Sequence, residues 1–414
     1  MRGKKLCAGL KTVMSFFTVT LLVTSAWAGA DQVLHSFNMN GRDGVTPQAG
    51  LVIDAAGVIY GTTEDGGEFT AGTVFSLTPP ATTGPWTEKI LYSFDNNQVD
   101  GAFPVAGLIF DAAGKNLYGT TLVGGTHGAG TVFELERTGK GWKEEVLYSF
   151  NDDGTDGVNP YASLVFDAAG NLYGTTHNGG DGFGTVFELI PSGGGVWTEK
   201  LLHKFQNNGK DGTQPLAGLT FDSFGNLYGA TPGGGKTGFG IVFELTPAAG
   251  HWTEKVLHQF QNDGEDGISP QSGVILDSAG NLYGMTYGGG VFGYGTVYEL
   301  IPSAGGSWAG KLLHKFQNNG KDGFQPMSPL IMDRAGNLYG TTTGGGANAS
   351  GTVFTLVPQL SGVWAETKLH DFKNNGRDGL APAVGLVFDA QRNLYGTTPT
   401  GGAHDEGVVF EIPR

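Results

Sequence analysis

One cysteine, Cys7, in 414 residues excludes any intramolecular disulfide, so packing alone must hold this chain together. Positive charge is scarce as well: 24 Lys and Arg against 39 Asp and Glu give a formal net charge of −15. Such an acidic surface argues against nucleic acid and anionic membranes as partners, and is compatible with cations, neutral glycans or a basic protein. Beyond the first 23 residues no apolar run approaches the ~20 residues needed to cross a bilayer. Short catalytic signatures are missing too: there is no G-x-S-x-G, no H-E-x-x-H and no phosphate-binding loop. No segment has the D-x-[DN]-x-[DN]-G spacing of a calcium loop; 151–157 (NDDGTDG) comes nearest and fails it.

The start of the chain reads as a secretory signal peptide over residues 1–30. Arg2, Lys4 and Lys5 precede the apolar stretch Val13–Val23, and Ala26-Trp27-Ala28 and Ala28-Gly29-Ala30 are small-x-small cleavage sites. Cys7 lies before the apolar stretch, where it cannot serve as a lipoprotein cysteine. The expectation is an exported protein, extracellular or periplasmic, with no membrane segment once the leader is removed. Loss of the leader would leave 20 basic against 39 acidic residues, a net −19, and no cysteine.

What the chain has in abundance is glycine, 73 residues spaced by a repeat. The tyrosine of an LYG or IYG triplet falls at Tyr60, Tyr118, Tyr173, Tyr228, Tyr283, Tyr339 and Tyr395, at intervals of 55 to 58 residues. Each unit resolves into four strands. In the unit starting at Pro215, LAGLTFD is an apolar strand and Asp222-Ser223-Phe224-Gly225 a type I turn; NLYGAT, IVFELTP and WTEKVLHQF follow as further strands. The stretch GGGKTGFG between the second and third strands predicts a loop with several positive φ angles. Consecutive apolar pairs such as Val242-Phe243 imply burial on both faces of the sheet.

Seven four-stranded antiparallel units predict an all-β fold, a seven-bladed β-propeller over residues 31–414. The termini predict how it closes. The last unit stops after its third strand, and Gln32–Phe37 (QVLHSF) matches the missing fourth strand, so the N-terminal strand should complete the last blade. No linker or composition shift divides the chain, and one monomeric domain is expected.

The recurring D-x-x-G-N-L-Y-G-T-T…G-G…G-T-V-F-E-L signature resembles the GloVer tandem repeat of choice-of-anchor exported bacterial proteins. The resemblance covers nearly the whole chain after the leader and implies export and a repeat propeller; it brings no activity or catalytic residues. This sequence ends at Pro413-Arg414 inside a strand, so a C-terminal anchor to the cell surface is not expected. The Asp-x-x-Gly-Asn-x-Tyr hairpin is also similar to NHL and gluconolactonase-type propellers, at the level of fold.

Several repeated series could carry function. Trp86, Trp142, Trp197, Trp252, Trp308 and Trp364 open the fourth strands and read as seals between blades. His35, His203, His258, His314 and His370 share a position with Tyr92 and Tyr148, which points to an amphipathic strand position and away from a metal ligand. The strand-end aspartates (Asp54, Asp111, Asp167, Asp222, Asp277, Asp333, Asp389) belong to the type I turns, and Arg392 stands where the other turns have Gly. A second aspartate series, Asp43, Asp100, Asp156, Asp211, Asp266, Asp322 and Asp378, precedes Gly in the connection between successive blades. These seven carboxylates should ring one face beside the glycine-rich loops, either capping their own turns or forming a ligand face, with Ca2+ as the candidate cation. Symmetry is broken in the glycine-rich loops at His127, Asp181, Lys236, Tyr294 and His404-Asp405-Glu406. Two function classes remain: a non-enzymatic binding scaffold for a protein or glycan using one face, or a propeller enzyme acting on a polysaccharide or lactone at the channel mouth.

Overall fold

The computed structural model describes residues 31–414; the expected leader lies outside them. These residues form seven small antiparallel sheets arranged as a seven-bladed propeller, with no helix. Blade 4 is representative. Its inner strand Thr220–Phe221 pairs with Leu227–Thr231, which pairs with Ile241–Ala248, which pairs with the outer strand His251–Gln259. The inner strand pairs over only two residues, shorter than the seven-residue apolar stretch suggested. Its beginning runs along the central channel instead of beside a neighbouring strand.

Each blade is apolar on both faces because its third strand alternates neighbours. Ile241, Phe243 and Leu245 pack with Tyr173, Leu202 and Phe205 of blade 3, whereas Val242 and Tyr228 pack with Leu282 and Leu300 of blade 5. Fully burying a side chain of this size contributes about 1.5–3 kcal/mol. The tryptophans sit in the same seams. Trp252 meets Tyr173 of the preceding blade edge to face at 6.2 Å, and Trp308 meets Tyr228 at 6.3 Å. The repeat tyrosines are buried, and their hydroxyls are engaged: Tyr173 donates to Glu188 at 2.7 Å and to Asp167 at 3.2 Å. Threonines on the second strands add ties between blades, as where Thr175 donates to the Ala217 carbonyl at 3.1 Å.

The ring closes as the phase of the repeat requires. Gln32–Ser36 pairs antiparallel with Val408–Ile412, with Gln32 opposite Glu411 and Ser36 opposite Val408. Leu34 and Phe37 of this strand enter the seam between blades 7 and 1 with Leu51, Phe75 and Leu77. Arg392 does adopt positive φ, at 72°, in the turn where other blades use Gly. Its guanidinium reaches Asp333 of blade 6 at 2.6 Å, an inter-blade ion pair that offsets the backbone strain.

Closure predicts an asymmetric mutational response along one short strand. Phe37→Ala is expected to cost ~3–5 kcal/mol in chemical denaturation, while Val33→Ala, on the 37% exposed side, should cost less than ~1 kcal/mol. Equal effects at both positions would mean that this strand does not close the ring.

Candidate functional site

All seven connections between blades lie on one face, and a single backbone pattern builds them. After each Asp, a Gly starts a two-residue ribbon with the glycine-rich loop, as Gly212–Thr213 with Gly233–Gly234. The loop expected from the glycines is therefore partly a strand. Only Gly fits its first position: a Cβ on Gly212 would stand 2.4 Å from Thr231 Oγ1. Two residues on, just before the proline, all seven connections turn through positive φ: Thr46 57°, Phe103 59°, Asn159 58°, Gln214 56°, Ser269 56°, Gln325 57° and Ala381 53°. Such a residue costs roughly 1–2 kcal/mol. The strain is held by a tie between blades, since each of these N–H groups donates to a loop carbonyl of the preceding blade, as Gln214 to Phe183 at 2.7 Å and Ser269 to Phe239 at 2.8 Å.

The seven predicted aspartates stand at the start of these connections, buried or half-buried. Each accepts a backbone N–H from the residue five positions before it, as Asp211 from Gln206 at 3.0 Å and Asp100 from Asp95 at 2.9 Å. The loop is an Asx turn in its own right, because Asn208 Oδ1 accepts from both Lys210 and Asp211. The aspartate also meets the His/Tyr series. His35–Asp43, Tyr92–Asp100, Tyr148–Asp156, His203–Asp211, His258–Asp266, His314–Asp322 and His370–Asp378 are all in hydrogen-bonding contact, at 2.8 to 3.3 Å. His and Tyr interchange here because both can donate to a carboxylate. A bulge in the outer strand places them: Leu202 is buried while the adjacent His203 still turns toward Asp211. The constant spacing of eight residues between the two series was the sequence signal for this dyad.

A third member comes from the next blade. Glu88, Glu144, Glu199, Glu254 and Glu366 occupy one register position of the outer strand, each opposite a leucine of the third strand. A carboxylate oxygen each of Asp43 and Glu88 gathers with a ring nitrogen of His35, all within 4.8 Å of one another, as do the same atoms of His203–Asp211–Glu254 and His314–Asp322–Glu366. In the seam between blades 6 and 7, Asp31, just before the closing strand, fills the same role, 3.2 Å from His370 Nδ1. Burial, then the charge of the facing aspartate, pushes Glu88, Glu199, Glu254 and Glu366 up to about 7 and Glu144 to about 8. A carboxylic acid that keeps its proton can stand beside an aspartate without repulsion, which is how two acids share the five seams that have a glutamate. Partial burial of His203 lowers its pKa, but the Asp211 hydrogen bond and charge outweigh this and leave it raised. The sets with histidine have ligand types suited to a divalent cation.

The residue after each proline lines the mouth of the central channel: Gln48, Val105, Tyr161, Leu216, Gln271, Met327 and Ala383. Together they bound a cavity of about 280 Å³. Beside it Glu64 accepts a hydrogen bond from Gln48 Nε2, and burial with the charge of Asp65 raises its pKa. His177 is half-buried, which lowers its pKa, and its Nδ1 has no hydrogen-bond partner.

The irregular loop residues do not converge. Asp181 accepts from Gln206 at 3.1 Å, Tyr294 packs on Phe324 at 5.4 Å and His127 is exposed. In the triplet at 404–406, Asp405 turns back to cap Gly401 N–H at 3.1 Å and His404 is exposed. The strand-end aspartates hold their turns as expected; Asp222 Oδ1 accepts from Phe224 and Asn226.

A family described as the Gloeobacter/Verrucomicrobia repeat matches residues 15–207, 82–276 and 182–410. No curated protein matches the chain. Among solved structures, a protein described as a 6-phosphogluconolactonase from Bacteroides uniformis aligns at 15% identity over 78% of this chain and 84% of its own, with TM-score 0.48. A luciferin-regenerating enzyme aligns at 14% over 73% and 89%, with TM-score 0.45. A puromycin-hydrolyzing peptidase from Mycobacterium tuberculosis aligns at 11% over 87% of this chain and half of its own length, with TM-score 0.51. At these identities the likeness is one of fold.

Two measurements probe the seams. A carboxyl group with a raised folded-state pKa binds more protons in the folded than in the unfolded chain between its two pKa values, so stability is full below about 4.5 and falls as pH rises toward 7–8. The melting temperature is expected to drop across that window, and Glu199→Gln should flatten the drop; a flat wild-type profile would refute the proton-sharing arrangement. Millimolar calcium is expected to leave the melting curve unchanged, because each aspartate already caps its own turn. A rise reversed by chelator would instead place a cation among the seven aspartates.

Proposed function

The chain belongs to the Gloeobacter/Verrucomicrobia repeat family, and from that premise we propose that it is an exported, non-enzymatic binding scaffold. Its ligand contacts the loop-rich face at the channel mouth. The observation that carries this reading is where the repeats differ. Seam positions are nearly constant, whereas the mouth position holds Gln, Val, Tyr, Leu, Gln, Met and Ala in turn. A ring of identical blades recognises an asymmetric ligand only through such unlike positions, and these lie together.

The chemistry of the mouth favours a neutral group. Gln48, Gln271 and Tyr161 offer hydrogen bonds beside apolar Val105, Leu216 and Met327, and no Lys or Arg is among the lining residues. Amide donors with an aromatic face suit a sugar hydroxyl pattern or an uncharged side chain of a partner protein. The cavity is slightly below the ~300–1,000 Å³ of small-molecule sites, so it fits the end of a chain better than a whole ligand. Export, to the periplasm or the exterior, is part of the same proposal and rests on the leader in the sequence.

The enzyme reading has one observation in its favour, the half-buried Glu64 with its raised pKa at the same mouth. A raised carboxyl can act as a general acid toward a polysaccharide or lactone. A panel of neutral glycans and secreted proteins, screened for both binding and product, separates the two. The scaffold reading expects binding without turnover, weakened at least ~10-fold (about 1.4 kcal/mol) by Gln48→Ala with Tyr161→Ala and unchanged by Glu64→Gln. Turnover that disappears in Glu64→Gln would replace it with the enzyme.

A further inference from the structure

One seam departs from the other six. Between blades 4 and 5 the His258–Asp266 dyad is present, but the third member is Gly310, opposite Leu300 in the register where five other blades carry glutamate and Asp31 serves the seam between blades 6 and 7. With no carboxyl against it the dyad is opened. The Asp266 side chain is 18% exposed, against 7 to 9% for Asp43, Asp211 and Asp322.

A cavity of about 440 Å³ stands over this place, lined by His258, Asp263, Glu265, Asp266, Gly310, Lys311 and Lys315 together with Tyr298. Tyr298 is the second departure from the repeat. The other blades have phenylalanine there, and its hydroxyl is buried without a hydrogen-bond partner. A comparable groove of about 400 Å³ runs over Tyr148 and Asp156, but there Glu199 supplies the carboxyl. Gly310 is not required by backbone or space. Its φ is not positive, and a Cβ would meet His258 and Leu300 at an ordinary 3.6 Å. The position could carry a glutamate and does not.

We propose that this seam binds a ligand bearing a terminal aliphatic carboxylic acid, which takes the place of the missing glutamate against His258 and Asp266. The dyad keeps here the contacts it has in the other seams, so a carboxyl group entering beside it meets the same surroundings as the glutamates do there. The lining carries both signs, Lys311 and Lys315 with Asp263, Glu265 and Asp266, and Lys311 lies 3.6 Å from Glu299, so the acid enters with its proton, as the glutamates of the other seams keep theirs, and is not drawn in by charge. The site is separate from the channel mouth and stands whether or not that mouth binds a ligand.

The test uses the full chain and propionate, the smallest mimic of a glutamate side chain, with 1-propanol as the control lacking the carboxyl. At about pH 5, where a carboxyl group is still partly protonated, wild type is expected to bind propionate saturably by calorimetry and by shifts of the His258 ring resonances, and not to bind propanol. At that pH Gly310→Glu, which supplies the carboxyl internally, should melt higher than wild type and bind propionate at least ~10-fold more weakly. Acetyl-glutamate amide run in parallel identifies the source: tighter binding than propionate points to an acidic side chain of a partner protein, weaker or equal binding to a free small acid. Absence of saturable propionate binding to wild type, or equal binding by a folded Gly310→Glu, overturns the proposal. Should that variant fail to fold, His258 ring shifts in wild type that do not respond to propionate overturn it equally.

Discussion

A four-stranded sheet that is apolar on both faces cannot stand in water, and every blade of this protein has two such faces. Ile241 and Phe243 turn to one neighbour and Val242 to the other, and no residue on these strands could make either face wet without emptying a seam. A row of such sheets would leave an apolar face at each end. Closing the row into a ring removes both ends, which is why the strand Gln32–Ser36 completes the blade begun by Val387–Phe388. With no disulfide available, the seams between blades bear the fold.

The seams also explain where polar groups are allowed. On the loop face, chain passing between blades brings an aspartate, a His or Tyr donor and a glutamate of the next blade into one buried place. Two carboxyls there are tolerable because one retains its proton and the other accepts backbone N–H groups. The left-handed residue before each proline is the same economy applied to the backbone. Its strain persists because an N–H to the neighbouring loop fixes it, and the resulting bend delivers the following residue to the channel.

Repetition makes departures informative. Gly310 and Tyr298 fall on the same seam, while the mouth residues differ in nearly every blade. The first departure opens one dyad to solvent; the second gives the channel its asymmetry. Neither concerns the irregular residues of the glycine-rich loops, which are spread around the rim with separate partners, Asp405 with Gly401 and Asp181 with Gln206.

The sequence alone determined the number of blades, the four strands of each, the closure by Gln32–Phe37 and the turn role of the strand-end aspartates. All of these follow from local pattern: apolar periodicity, Asp–Gly turn chemistry and the phase of a repeat against its ends. The aspartate ring was legible as a position and its face was legible from topology. Its glutamate partner was not, because where one is present it lies on the next blade, 43 to 45 residues downstream of the aspartate, as Asp211 and Glu254. His and Tyr at one position suggested only amphipathic character, since the common property, donation to a carboxylate, appears when the acceptor is in place. Likewise Gln48, Tyr161 and Gln271 carry no motif; a ring of residues one per repeat becomes a site only when closure brings them to a common centre. Contacts within a repeat could be read along the chain, and contacts between repeats were decided by the ring.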